Sequence, residues 1–261
     1  MCLILIAWRA REDLPLAVAA NRDEWRDRPT EAARWWPEHP RLLAGRDLRA
    51  GGTWMGVTRE GRFAAVTNFR DPSERRSTAR SRGTLVTDFL LGSGTPLDFL
   101  ASVALHAAEY NGFNLIAGDG RSLWCYGSRD GPPREIEPGI HGLSNHVLDE
   151  PWPKVVRGRE AMRLALADRD PAPALFRFLS DEMPAQDAEL PGTGVGLEWE
   201  RRLSSALITG ADYGTRASTV LTASRSGALR FEERTRGPGG EVTGTTVDGE
   251  PAGSRTDPTL A

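Results

Sequence analysis

The chain has 261 residues, 39% of them hydrophobic, enough to bury one substantial core at the upper end of ordinary single-domain size. A formal net charge of −3 offers no positive field to gather phosphate backbones, which argues against a general nucleic-acid binder. The apolar run at residues 2–8 is too short for a secretory signal and no stretch is long enough to span a bilayer, so no membrane span and a cytoplasmic location are expected.

CLILIAW and LPLAVAA, separated by the polar RARED, read as a first hairpin whose second strand ends at Asn21-Arg22-Asp23-Glu24. Residues 25–52, rich in Trp and Pro, read as irregular. TWMGVT and RFAAVTNF flank the turn signal REG and predict a second hairpin ending near Asn68. Apolar residues at three- and four-residue spacing predict helices over 84–91 and 97–110. FNLIAG and SLWCYGS across DGR form a third hairpin.

After IHGLSNH, the stretch PWPKVVRGREAMRLALA predicts a helix opened by proline, and ALFRFLSDEM a shorter one. SSALITG, STVLTAS and ALRFEER read as closing strands. The Gly/Thr/Pro-rich residues 237–261 are expected to be a disordered tail, which leaves one domain over residues 1–236. Strands in blocks, separated by helical pairs, indicate an α+β fold of two antiparallel sheets covered by helices.

Two cysteines, Cys2 and Cys125, are expected as reduced thiols, and no CxxC or Cys/His spacing proposes a metal site. Loss of Met1 would put a thiol and an α-amine on Cys2, and an amine with a reference pKa of about 8 can accept the proton of its own nucleophile. The position alone fits a small buried hydrophobe in the first strand equally well. Asp23 and Asn21 fall where a strand paired with the first reaches the chain start. A carboxylate there can hold the α-ammonium and an amide can donate to an oxyanion, although Asn and Asp also end strands by bonding their own backbone. Lys154 is the only lysine among 33 lysine and arginine residues, which reads as a composition bias.

AANRDE after MCLILI, then GGTWMGV, AAVTNFR, YNGFNLI, HGLSNH and YGTRASTV, occur in this order between residue 1 and about residue 231. This ordered set resembles the NRDE or transport-and-Golgi-organisation family. That family is in turn similar to the N-terminal-nucleophile hydrolases of the bile-salt hydrolase and penicillin V acylase branch. The resemblance implies a four-layer αββα sandwich and a site built on Cys2 as nucleophile, with Asn21 and Asp23 matching the Asn and Asp of a Gly-Arg-Asn-x-Asp pattern. Ala20 stands where that pattern has its arginine, and Arg22 is expected to point to the opposite face. Asn68 or Asn145 is implied as oxyanion donor, and Arg216 as the late arginine bordering the nucleophile. Asn114 reads as a structural hydrogen-bonding residue.

Arginines follow Asn68 densely, and Arg75, Arg76, Arg80 and Arg82 are candidates to meet a phosphate or carboxylate, a solvated loop being the alternative. Arg22, Trp54, Arg80 and Arg82 are the ligand-binding candidates, and Trp25, Trp35, Trp36 and Trp54 can line an apolar pocket or fill the core. Of the four histidines, His39 and His106 read as ordinary, whereas His141 and His146 flank GLSN and can approach a cofactor. The resemblance thus implies an amide (acyl) hydrolase that requires no cofactor and acts on a small amphipathic or acyl ligand. The family's link to haem trafficking and acyl-lipid homeostasis implies the alternative, a non-catalytic carrier of haem or of acyl-CoA and lipid, with any haem held non-covalently.

Overall fold

The computed structural model describes residues 2–74, 76–248 and 250–251. Six strands come first: β1 (Cys2–Trp8), β2 (Leu16–Trp25), β3 (Thr30–Trp36), β4 (His39–Asp47), β5 (Met55–Thr58) and β6 (Phe63–Asn68). Helices α1 (Gly83–Leu91) and α2 (Pro96–Leu105) follow, then β7 (Phe113–Gly118), β8 (Leu123–Gly127), β9 (Arg134–Glu135) and β10 (Gly139–Leu143). Helices α3 (Pro153–Ala165), α4 (Ala172–Leu179) and α5 (Leu197–Arg202) precede the closing strands β11 (Tyr213–Ala223), β12 (Leu229–Arg236), β13 (Val242–Val247) and β14 (Glu250–Pro251).

The strands form two seven-stranded antiparallel sheets, ordered β10-β1-β2-β11-β12-β13-β14 and β3-β4-β5-β6-β7-β8-β9. Period-two alternation gives each sheet two apolar faces. Ile4, Ile6, Val18 and Ala20 meet Met55, Phe63 and Ile116 of the other sheet. The intervening Leu3, Leu5, Ala17 and Ala19 pack under Val155, Met162, Phe176 and Leu179 of α3 and α4. On the second sheet, Leu42, Ala64 and Leu115 pack under Phe89 of α1 and Leu100 and Val103 of α2. Each large side chain buried in this way contributes roughly 1.5–3 kcal/mol. The result is the αββα sandwich that the resemblance implies.

Several local expectations are corrected. Residues 25–52 are not irregular: β3 and β4 pair as a hairpin, with register shifts between Glu31 and Arg34 and between Trp35 and Trp36. Bulges break the apolar alternation by which strands are read from sequence. SSALITG is not a strand. Its Ser204 and Ser205 hydroxyls donate to the Arg201 and Leu207 carbonyls at 2.6 and 2.7 Å, and such local bonds compete with a ladder. The second helix stops at Leu105 and a three-residue 3₁₀ turn, 107–109, completes the stretch. The boundary at residue 236 moves outward, because β13 pairs along β12 and β14 along β13. Residues 252–261 of the expected tail lie outside the described residues.

Antiparallel neighbours alternate in direction, so the start of β1, the end of β2, the residues after β10 and the start of β11 gather at one edge of the first sheet. The end of β6 faces them from the second sheet.

Candidate functional site

Cys2 is half-buried and is the cross-strand partner of Arg22. Arg22 is therefore on the same face as Cys2, correcting the expectation that it points away, because residues two apart on one strand share a face and Ala20 pairs with Ile4 there. The cation that the hydrolase pattern carries at the position of Ala20 reappears two residues on. The Arg22 guanidinium lies 4.3 Å over the Trp54 ring and 3.7 Å from the Glu24 carboxylate. Trp54 in turn has room only because position 45 is glycine: a Cβ there would fall 2.3 Å from the Trp54 ring. Burial pushes the Cys2 thiol above its ordinary pKa; Asp23 adds to the rise and Arg22 opposes it.

Asp23, 1% exposed, pairs with Thr215 of β11, whose hydroxyl donates to Asp23 Oδ1 at 2.7 Å and accepts from the Ile208 N–H at 2.9 Å. Burial pushes its carboxyl pKa up, and Lys154, the Thr215 bond and Arg70 pull it back down. Asn21 is not available to an oxyanion. Its Nδ2 donates to the carbonyls of Leu179 at 2.9 Å and Ala206 at 2.7 Å, which uses both amide protons to tie β2 to the end of α4.

Asn68 ends β6, lines the cleft with Cys2, and its side-chain amide makes no hydrogen bond among the described residues. Asn145 is 0% exposed and stands behind it, donating from Nδ2 to the Asn68 carbonyl at 2.8 Å, so it supports Asn68 rather than lining the cleft. Next to it, the Ser144 hydroxyl donates to the Cys2 carbonyl at 3.1 Å. Asn114 donates to Thr67 Oγ1 and to the His146 carbonyl, as a structural residue does.

Arg216 does not border Cys2. It is the extra residue of a bulge where β11 meets β2, and its Nη1 donates to the carbonyls of Trp25, Arg26 and Arg28 at 2.9, 3.2 and 3.1 Å. A bulge re-aims its side chain, and this one clamps the turn that follows β2.

The cleft has two adjoining lobes. The polar one, of about 810 Å³, is lined by Cys2, Arg22, Asp23, Trp54 and Asn68, with Arg80 and Arg82 at its rim. The more apolar one, of about 730 Å³, is lined by Trp25, Phe69, Trp199 and Tyr213 and shares Asn68 and Arg82 with the first. Trp35 and Trp36 pack in the core instead. Arg80 is exposed and paired with Glu109 at 2.8 Å, while Arg82 donates to the Gly112 carbonyl at 3.0 Å. The segment carrying them is tied down, since Arg76 and Asn111 exchange two 2.9 Å bonds between backbone and amide. Arg75 lies outside the described residues.

None of the four histidines lines either lobe. His141 is held by Asp149 at 2.7 Å and by the Glu137 carbonyl, and His146 stacks between Phe69 and Trp152. Among the described residues no group of three or more His, Cys, Asp or Glu side chains is placed to hold a metal ion. No helix among them is long and apolar enough to cross a membrane.

Two residues escaped sequence reasoning. Arg70 is buried in an ion pair with Glu200 at 2.9 Å, its guanidinium 4.5 Å over Trp152. Lys154, 1% exposed near the start of α3, has a Nζ with no hydrogen-bond partner among the described residues. Its solitude as the one lysine was the available signal.

Comparison with known proteins agrees with this architecture. A family model described as Transport and Golgi organisation 2 matches residues 1–238. The mouse Transport and Golgi organization 2 homolog is 33% identical over 256 residues, covering 90% of this chain and 92% of the mouse protein. The bovine homolog is 35% identical over 257 residues, with the same 90% and 92% coverage. Among solved structures, the Caenorhabditis elegans N-acylethanolamine-hydrolyzing acid amidase (NAAA) ortholog superposes with a TM-score of 0.50 at 8% identity, over 84% of this chain and 92% of that one, a likeness of fold alone.

Proposed function

The chain belongs to the Transport and Golgi organisation 2 family, and we propose that the polar lobe of this member is an N-terminal-cysteine site for hydrolysing an acyl amide. The observation that carries the reading is the common lining of one lobe by Cys2, Arg22, Asp23 and Asn68.

Removal of Met1 frees the Cys2 amine. That amine takes the thiol proton, and the thiolate attacks the carbonyl carbon of the substrate. Arg22 across the ladder favours the thiolate, and Asp23 holds the resulting ammonium. Negative charge moves to the former carbonyl oxygen, where the uncommitted Asn68 amide donates. The ammonium then returns its proton to the departing nitrogen, the C–N bond breaks, and a thioester remains on Cys2. Water attacks the thioester, gives its proton to the amine, and releases the carboxylic acid while the thiol regains a proton. This chemistry needs no cofactor, and a cytosolic setting keeps the thiol reduced.

The aromatic lobe favours a second reading. A carrier of an amphipathic anion would bury a ring or chain against Trp25, Phe69 and Trp199 and meet its acidic end at Arg82. No histidine lines the cleft, so Cys2 and Tyr213 are the side chains there that could ligate a haem iron.

The test begins with the intact mass of the untagged protein, which reads whether Met1 is removed, followed by a panel of acyl amides on wild type and Cys2→Ala. Turnover lost with Cys2, together with a trapped acyl adduct on Cys2, supports the hydrolase. Stoichiometric binding of a fatty acyl anion or of haem, equal in wild type and Cys2→Ala and without any adduct, supports the carrier.

A further inference from the structure

Lys154 is in a place where a lysine is costly. It follows Pro153 in the first turn of α3, where the helix dipole disfavours a cation, and that turn carries no acidic residue to offset it. The side chain is 1% exposed and Nζ finds no hydrogen-bond acceptor among the described residues. Burying an ammonium in this way costs several kcal/mol unless an opposite charge faces it.

The charged groups around it come from four elements. Asp23 of β2 and Cys2 of β1 draw a proton onto Lys154, whereas Arg70, after β6, and Arg157 of α3 repel it. Both repelling cations have carboxylates of their own, Arg70 with Glu200 at 2.9 Å and Arg157 with Asp181 at 3.4 Å. The compensating charge for Lys154 is therefore that of the cysteine site. Burial lowers the lysine pKa to about 8, with Asp23 the foremost opposing influence, and Lys154 is the foremost charge pulling the Asp23 carboxyl down. The other 32 of the 33 lysine and arginine residues in this chain are arginine. Lys154 thus puts a compact, titratable ammonium beside the site from the helix side.

We propose that Lys154 is a positioning residue of the cysteine site, a buried cation that faces Asp23 and keeps its carboxylate ionised beside Cys2. The proposal deepens the hydrolase reading and rests on it for its catalytic meaning. Burial works against the Asp23 carboxylate, and a neutral carboxyl would not hold an α-ammonium. Lys154 joins the Thr215 bond and Arg70 in opposing that effect, from behind, on the face of the first sheet opposite Arg22. The two cations thus divide the work: Arg22 acts on the sulfur from the inter-sheet face and Lys154 acts on the carboxylate from under α3.

Two measurements on the full chain test this, neither needing a substrate. The first is the pH titration of the Asp23 carboxyl, read from its side-chain 13C shift in aspartate-labelled protein and assigned with Asp23→Asn. In Lys154→Met the Asp23 midpoint moves up by roughly one pH unit or more. The second is a double-mutant cycle on Tm with Lys154→Met, Asp23→Asn and both together. The double variant regains the stability that Lys154→Met alone loses, and folds even where that single variant does not. Both results are required. An unmoved midpoint in folded Lys154→Met, or losses that simply add, overturns the proposal. Absence of amide turnover leaves both readouts intact and counts only against the hydrolase reading.

Discussion

Cys2 and Arg22 stand opposite each other across the β1–β2 ladder, and an indole holds the arginine in place, its guanidinium 4.3 Å over Trp54. A thiol whose pKa burial raises thereby has a fixed cation on its own face. The resemblance to the hydrolases pointed to a missing arginine at Ala20. The strand geometry recovers the charge at Arg22, because a shift of two residues leaves a side chain on the same face of the sheet.

Replacing Arg22 by leucine should therefore raise the Cys2 thiol pKa and slow its alkylation at neutral pH by roughly tenfold. Arg22→Lys should recover part of the rate, since it keeps the charge and loses the planar stacking on Trp54. Iodoacetamide kinetics on the intact proteins check both; equal rates in all three proteins would remove Arg22 from the site.

Asn68→Ala should lower kcat on an acyl amide by about 100- to 1000-fold with little change in KM, because the amide acts on charge that develops after binding. Asn145→Ala removes the 2.8 Å bond to the Asn68 carbonyl and should cost about 1–3 kcal/mol of stability in urea unfolding. A large kcat loss in the second with none in the first would exchange their roles.

Glu233 predicts a pH dependence of stability. It is buried between the sheets, where its Oε1 accepts from the Ala33 N–H at 2.7 Å, and burial pushes its carboxyl pKa up to about 7. A raised carboxyl favours the protonated form in the folded state. Its contribution is complete below the unfolded value near 4.5 and is lost as pH rises through about 7. Within that window the slope reaches at most about 1.4 kcal/mol per pH unit. Tm measured across the window should fall with pH in wild type more steeply than in Glu233→Gln; parallel curves would refute the assignment.

Arg70 and Glu200 form a buried ion pair joining the end of β6 to α5, with both side chains about as buried as the core. Glu200→Leu strands the Arg70 charge and should cost roughly 3–5 kcal/mol, and Arg70→Met in the same protein should return most of it. Thermal melts of the two variants measure the recovery, and a double variant no more stable than the single one would contradict it.

Much of the fold was legible from local pattern. The first hairpin, the strand ending at Asn68, both helical pairs and the strand through STVLTAS were marked by period-two or three-to-four-residue spacing, with glycine or proline between them. Where the pattern failed, a local hydrogen-bonding or register effect was responsible. The bulged β3–β4 hairpin hid its alternation, and the serines of SSALITG bonded their own backbone.

The site divides along the same line. Cys2 and Asp23 could be named from their positions at the chain start and at a strand end, and Asn68, with Asn145 as its alternative, from the resemblance carried by an ordered set of motifs. The partners of each could not, because they come from distant parts of the chain. Asn21 spends its amide on Leu179 and Ala206, and Arg216 is turned by a bulge onto the carbonyls after β2. Asn145 backs Asn68 across 77 residues of sequence. Lys154, a plain helix residue by pattern, becomes a buried charge only when α3 covers the first sheet beside Asp23. Sequence determined which residues carry reactive groups and which strands carry them; packing of helices on sheets decided which groups are spent on structure and which charges are left facing the cleft, since burial and long-range pairing exist only once the layers have closed.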